Sequence, residues 1–319
     1  MIVQNTNENI LNAAKIINRG GLVAFPTETV YGLGGDALDP HAVAKIFEAK
    51  KRPSFDPLIT HIADLESLDR VAKIKNPRVY DIISHFWPGS LTIIVPKRDI
   101  IPDLISSGLP TMAVRMPDHA TALQLIRESS GALAAPSANP FGFLSPTTAQ
   151  HVEENLGNRI DLILDGGPCR IGVESTVLDL TKDIPLILRP GGLSIESLRE
   201  VIEDVEVYNR TTVSPSSPGQ LKMHYSPRKA LYIVDSADDV STRSGAGILL
   251  FKKGPHTDGF AAEEVLSESG DPVEAAATLF TALHRLDAAE GTNRIYVEKV
   301  PLTGLGAAVM DRIYKASKK

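Results

Sequence analysis

A chain of 319 residues that is 43% hydrophobic and 23% charged is ordinary globular material for two domains, or one large one with an extension. Its net charge of −6 argues against a dedicated nucleic-acid binder. It leaves room for a nucleotide, which needs only a few placed cations and backbone N–H groups.

In chain order, residues 7–18 carry Ile10, Leu11, Ala14 and Ile17 at helical spacing and stop at Gly20-Gly21. Leu22–Phe25 predicts a strand, followed by the polar loop Pro26-Thr-Glu-Thr-Val-Tyr-Gly32. Asp39 and Pro40 open a helix that Pro53 stops. Strands are predicted at 57–62, 90–96, 111–117, 131–139 and 160–167, and a hairpin-like pair at 175–181 and 185–191. Helices are predicted at 76–89, 120–130, 148–157 and 194–202. The irregular mixture reads as a mixed α/β sheet domain over 1–208. Residues 209–228, with several Pro and Ser and no apolar run, read as a linker. Residues 229–319 form a smaller α/β unit, with strands at 230–235, 246–252 and 294–300, a helix over 271–289 and a last helix from about Gly306.

The one cysteine, Cys169, allows no intrachain disulfide and suits a reducing compartment. No apolar run is long enough for a membrane-spanning helix, and residues 1–8 do not look like a secretory leader, so a cytoplasmic location is expected. The eight histidines show no metal-ligand spacing, so no built-in metal site is expected.

Polar loops recur at strand ends, where ligands collect in open α/β sheets. The set comprises the 26–32 loop, Lys50-Lys51-Arg52, Asp56, Arg115, Ser137 and Asn139, Ser175-Thr176, and Arg189 before a Pro-Gly-Gly turn. Cations, hydroxyls and Gly turns together suit a polyanion such as a nucleoside triphosphate. No GxxxxGK[ST] or GxGxxG is present, and Cys169 has no implied partner histidine, so no nucleophile triad is read. Singly, each residue has a plainer reading. Arg115 could be a structural ion pair, Lys50–Arg52 helix-dipole partners, 136–139 a turn, and His61 a core histidine.

The stretches FPTETVYGLGGDA, AKKRPSFDPLITHI, WPGSLTIIV, AVRMPDH, APSANPFGFLSPTTAQHV, ILDGGPCRIGVESTVLDL and ILRPGG stand in the order and spacing of the YrdC/Sua5 family. The linker SPGQLKMHYSP and the tail RIYVEKVPLTGLGAAVMDRIYKAS resemble its long, two-domain Sua5 branch. The resemblance implies a YrdC-like mixed, twisted sheet domain, a linker acting as a lid over the active site, and a smaller Rossmann-like Sua5 domain. It also implies threonylcarbamoyl-AMP synthesis: L-threonine, bicarbonate and ATP give L-threonylcarbamoyladenylate and pyrophosphate. The product serves N6-threonylcarbamoylation of tRNA adenosine 37 by a separate transferase complex.

By motif, the resemblance implies that Lys50 and Arg52 face the phosphates, with Ser137 and Asn139 at the nucleotide end. Thr111, Ser145, Arg189 and Tyr225 would join them, and Asp56 falls in the same motif. Thr29, His61, Arg115, the backbone at Ala135, and Ser175 would surround threonine. Mg²⁺ is expected to come with ATP, held by phosphates and water. The chain departs from the family at Lys51, where Gly is frequent, at Asp56, where Asn is frequent, and at Gln220–Met223. Two rivals remain: an RNA- or nucleotide-binding module without catalysis, and a carbamoyl-phosphate-dependent adenylation. The first is opposed by the balance of 19 basic against 26 acidic residues over 1–208 and by the lack of an aromatic stacking set. The second is opposed by the lack of the accompanying acylphosphatase and zinc-finger segments. Direct contact with tRNA or the transferase complex is left open.

Overall fold

The computed structural model of the protein describes residues 1–208, 224–254 and 257–318. The first domain runs β1 (Ile2–Gln4), α1 (Asn7–Asn18), β2 (Val23–Phe25), β3 (Gly32–Asp36), α2 (Pro40–Lys50), β4 (Ile59–Ile62), α3 (Leu65–Val71), α4 (Arg78–Phe86) and β5 (Leu91–Pro96). It continues with α5 (Asp103–Ser106), β6 (Thr111–Arg115), α6 (Ala120–Glu128), β7 (Ala132–Ala134), α7 (Ala149–Leu156), β8 (Leu162–Asp165), β9 (Thr176–Asp179), β10 (Leu186–Arg189), α8 (Ile195–Val201) and β11 (Glu206–Val207). Capping sets the helix starts: Thr6 accepts from Asn9 N, and Asp39 accepts from His41 N with Pro40 in the first turn.

Among the described residues eleven strands form one mixed sheet, ordered β1-β8-β2-β3-β7-β4-β6-β5-β9-β10-β11. Side chains alternate between its faces. One face, through Ala24, Leu33, Ile93, Val114 and Leu178, packs into the main core beneath the helices that contribute Val43, Leu68, Ile82, Val152 and Leu198. On the other face, α1 and α6 cover one end through Ile10, Ile17 and Leu125 over Val23, Phe25 and Leu133. Farther along it lies a smaller apolar cluster of Ile59, Ile94, Ala113, Val177 and Leu188. Thr92, Arg115 and His61 stand in register on β5, β6 and β4, so they form a polar row on this second face.

β3 is a strand with three glycines, which propensity alone disfavours. Its reason is local: a Cβ on Gly34 would stand 2.7 Å from the Phe25 ring, so the missing side chain lets Phe25 lie across its neighbour.

The second domain holds β12 (Ala230–Val234), β13 (Ala246–Lys252), β14 (Ala262–Ser267), α9 (Pro272–Ala288), β15 (Arg294–Glu298) and α10 (Gly306–Ala316). Its sheet is parallel, ordered β12-β15-β13-β14. Helices α9 and α10 pack Leu279, Phe280, Leu283, Val309 and Ile313 on that sheet. The same apolar cluster takes in Val30, Leu144, Val173 and Tyr225 from outside the domain. The two domains therefore share a core. Across their boundary Thr147 and Thr281 hydroxyls meet at 3.0 Å, and the His151 and His284 rings stack at 4.0 Å. No helix among the described residues is long and apolar enough to cross a membrane.

Candidate active site

A cleft opens on the second face of the large sheet. The loop between β2 and β3 supplies Thr27 and Thr29, β4 supplies Ile59 and His61, and the end of β6 supplies Arg115. Ala135 and Ser137 follow β7, Glu174 and Ser175 precede β9, Arg189 ends β10, and Arg52 follows α2. His224 and Tyr225, just before the second domain, form the remaining wall. Residues 209–223, most of the linker read as a lid, lie outside the described residues.

At one end Arg115 is buried and oriented on three sides. Its Nη2 is 2.6 Å from Glu28 Oε1, its Nη1 donates to Thr29 Oγ1 at 2.9 Å, and its Nε to Gly89 O at 3.2 Å. Thr27 steadies the turn, its hydroxyl 2.9 Å from Thr29 Oγ1 and donating to Val30 O at 2.7 Å. Burial raises the Glu28 carboxyl, but the charge and hydrogen bond of Arg115 outweigh it and hold the pKa below the ordinary value. Burial first, and then Arg115, push His61 down to about 3, so its imidazole is neutral. Ser175 Oγ lies 2.7 Å from Thr92 Oγ1. Burial pushes the Cys169 thiol up to about 12, which leaves no thiolate at neutral pH.

At the other end, Arg52 lines the cleft and pairs with Asp56, Nη2 to Oδ2 at 2.9 Å, while its Nε and Nη2 donate to the carbonyls of Asp56 and Pro57. The acid that stands where the family often has Asn thus serves as the partner of Arg52. Arg189 donates to Ser175 O at 2.8 Å. Glu174 accepts from the Ser145 hydroxyl and, at 2.8 Å, from Arg312 of α10. Burial raises Glu174, yet Arg312, Arg189 and Ser145 together hold it at about 2.

The structure brings Thr29, His61, Arg115, Ala135, Ser175, Arg52, Ser137, Arg189 and Tyr225 to one cleft. Lys50, Asn139, Asp56, Ser145 and Thr111 stand outside its lining. The sequence reading points the Lys50 ammonium at phosphates. In the structure Nζ donates to the carbonyls of Ser137 and Asn139, at 2.5 Å each. Asn139 donates to Pro140 O and Phe143 O at 2.9 Å, so these two residues shape the loop that presents Ser137. Ser145 acts on the wall through Glu174, and Thr111 begins β6, at the opposite end from Arg115. Sequence reasoning left out Glu28 and Glu174, although each adjoins a selected residue. It also left out Arg312, which no local pattern marks.

Tyr225 Oη, Asn139 Oδ1 and Glu28 Oε2 are buried with no hydrogen-bond partner among the described residues. Unpaired buried polar atoms are costly, and of these Tyr225 Oη belongs to a residue that lines the cleft, where a polar ligand would satisfy it. Fold and site together define a two-domain α/β protein with an arginine-rich cleft suited to an anionic ligand.

Residues 15–191 match the family model of the Sua5, YciO and YrdC proteins, described as Telomere recombination. Residues 193–318 match the model of the threonylcarbamoyl-AMP synthase C-terminal domain. The chain belongs to the Sua5/YrdC family, in its two-domain form. It is 45% identical over 316 residues to the threonylcarbamoyl-AMP synthase of Pyrococcus abyssi, covering 96% of this chain and 93% of that one. It is 42% identical over 330 residues to the enzyme of that name from Bacillus subtilis, covering 98% and 94%. Its fold matches a crystal structure of P. abyssi Sua5 complexed with L-threonine at a TM-score of 0.92 and 40% identity, over 99% of this chain and 97% of that one.

Proposed function

We propose that the protein is an L-threonylcarbamoyladenylate synthase, making threonylcarbamoyl-AMP and pyrophosphate from L-threonine, bicarbonate and ATP. One observation carries the reading: a single cleft has Arg115 at one end and Arg52 and Arg189 at the other, in a fold matched over its length to a threonine-bound relative. Arg115, already oriented by Glu28, receives the threonine carboxylate. Thr29, His61, Ser175 and the backbone at Ala135 enclose the rest of the amino acid. The threonine amine forms a bond to the carbon of bicarbonate, and water leaves, which gives a carbamate. A carbamate oxygen then forms a bond to the α-phosphorus of ATP as the bond to pyrophosphate breaks. Substrates supply the nucleophile, so the protein's work is positioning and charge stabilisation by Arg52, Arg189, Ser137 and Tyr225.

Mg²⁺ belongs to this reading as part of the ATP substrate. Among the described residues no group of three or more His, Cys, Asp or Glu could hold a metal ion. The nearby carboxylates are already paired: Glu28 with Arg115, Asp56 with Arg52, and Glu174 with Arg312. The ion's ligands would be phosphate oxygens and water. The labile product would pass to a separate transferase acting on tRNA.

The test is pyrophosphate release by the purified protein with Mg²⁺, omitting ATP, L-threonine and bicarbonate in turn. Release should need all three. Arg115→Ala should lower kcat/KM for threonine by about 100-fold, the loss of charge-assisted hydrogen bonds to one carboxylate. Release without threonine would overturn the reading, as would RNA retention with no release.

A further inference from the structure

Arg312, in the last helix of the chain, is wholly buried, and it touches three segments of the cleft wall. Its Nε donates to Glu174 Oε2 at 2.8 Å. Its Nη1 donates at 2.7 Å to the carbonyl of Pro190, the residue after Arg189, and also to Asp311 Oδ2. Its guanidinium lies 5.1 Å from the centroid of the Tyr225 ring. Phe280 of α9 flanks the same ring at 5.8 Å. Tyr225 has a φ of 62°, a left-handed conformation that a tyrosine holds only when its surroundings over-determine it. Those surroundings include both helices of the second domain.

We propose that Arg312 is a positioning residue for the nucleotide half of the cleft: it neutralises the Glu174 carboxylate and seats Tyr225, so the second domain completes the ATP site. This rests on the synthase reading above. Glu174 lines the cleft that would receive the triphosphate. Without its direct guanidinium partner it would present a poorly compensated buried negative charge to a polyanion, with Arg189 its nearest remaining cation. The charged and titratable groups facing Glu174 are Arg312 on α10, Arg189 at the end of β10, Lys50 at the end of α2, and His224 and Tyr225 before β12. Asp311 faces Arg312 from its own helix. With Arg312 gone, the burial that raises the Glu174 carboxyl loses its main opponent, and the group titrates at higher pH.

The experiment measures KM for ATP and for threonine in pyrophosphate release by the full chain, for wild type, Arg312→Lys, Arg312→Gln and the double variant Arg312→Gln/Glu174→Gln. Arg312→Gln is expected to raise the ATP KM at least about tenfold at neutral pH, and to move the threonine KM much less. The defect should shrink as pH falls from about 8 to about 5.5, because protonation of Glu174 removes the repulsive charge. Arg312→Lys and the double variant should each recover much of the ATP KM. Equal losses for both substrates, a pH-independent defect, or no recovery in the double variant would overturn the proposal and leave Arg312 a structural clamp. Should Arg312→Gln fail to fold, Arg312→Lys and the double variant carry the same comparison. Calorimetric binding of a non-hydrolysable ATP analogue separates the two claims. If wild type binds it but releases no threonine-dependent pyrophosphate, the synthase reading fails. Arg312 is then judged by analogue affinity alone, with weakened binding supporting the proposal and unchanged binding overturning it.

Discussion

Arg115 and Glu28 meet at 2.6 Å with at most 4% of either side chain exposed, and this ion pair with the hydrogen bonds to Thr29 and Gly89 fixes the direction of Arg115. Such buried pairs make the site sensitive to acid. The histidines at 61, 119, 151, 224 and 284 all have pKa values lowered by burial, His61 and His151 to about 3. A folded pKa below the unfolded one means stability that is complete above about pH 6.5 and lost as pH falls towards 3. Glu174, held at about 2, adds a loss between about pH 4.5 and 2. The urea midpoint is therefore expected to fall from about pH 6.5 downward. His61→Gln should flatten the upper limb, and a midpoint constant from pH 7 to 5 would contradict the assignment. At this scale the sequence showed the residue types well. Thr29, Ser137 and Ser175 stand in polar loops and Arg115 at a strand end, whereas His61 was marked only by the family resemblance; all five line one cleft. What each side chain touches was not legible. That the Lys50 ammonium donates to the carbonyls of Ser137 and Asn139 depends on how the 137–139 loop packs, which the local sequence does not contain.

The helix ends were legible because caps are local. Asp39 with Pro40, Thr148 and Ser194 all cap where the pattern places a start. Lys51 follows the last turn of α2 at a φ of 52°, in the left-handed region, which is the physical reason glycine suits that position. Its side chain is exposed, so Lys51→Gly is expected to stabilise the fold by about 0.5–1 kcal/mol, read as a higher urea midpoint at unchanged slope. A lower midpoint would mean that the lysine side chain makes a contact of its own. The glycine strand β3 was hidden for the converse reason. Its stability comes from Phe25 lying across it, which a single-strand propensity does not contain. β1 and β14 were missed as well, being a three-residue strand and a charged one.

Taken whole, the molecule is two sheets joined through α9 and α10. Gly172 marks how close they come: it has a φ of 78°, and a Cβ there would stand 2.3 Å from Ala276 O. Gly172→Ala is expected to cost about 2 kcal/mol or more and to push α9 away. It should then loosen Tyr225, raising both protease sensitivity and the ATP KM. An unchanged unfolding transition and KM would show that the contact does not carry the docking.

The sequence alone determined the order of most elements, the helix caps, the polar loops at strand ends and the family. All of these are written in patterns a few residues long. The tertiary structure alone decided that the second domain packs behind the site wall, and that Glu174 is matched by an arginine 138 residues away. The reason is physical. Periodicity and capping are settled within one element, whereas the Glu174–Arg312 pair exists only once two surfaces distant in the chain pack together and exclude water between them.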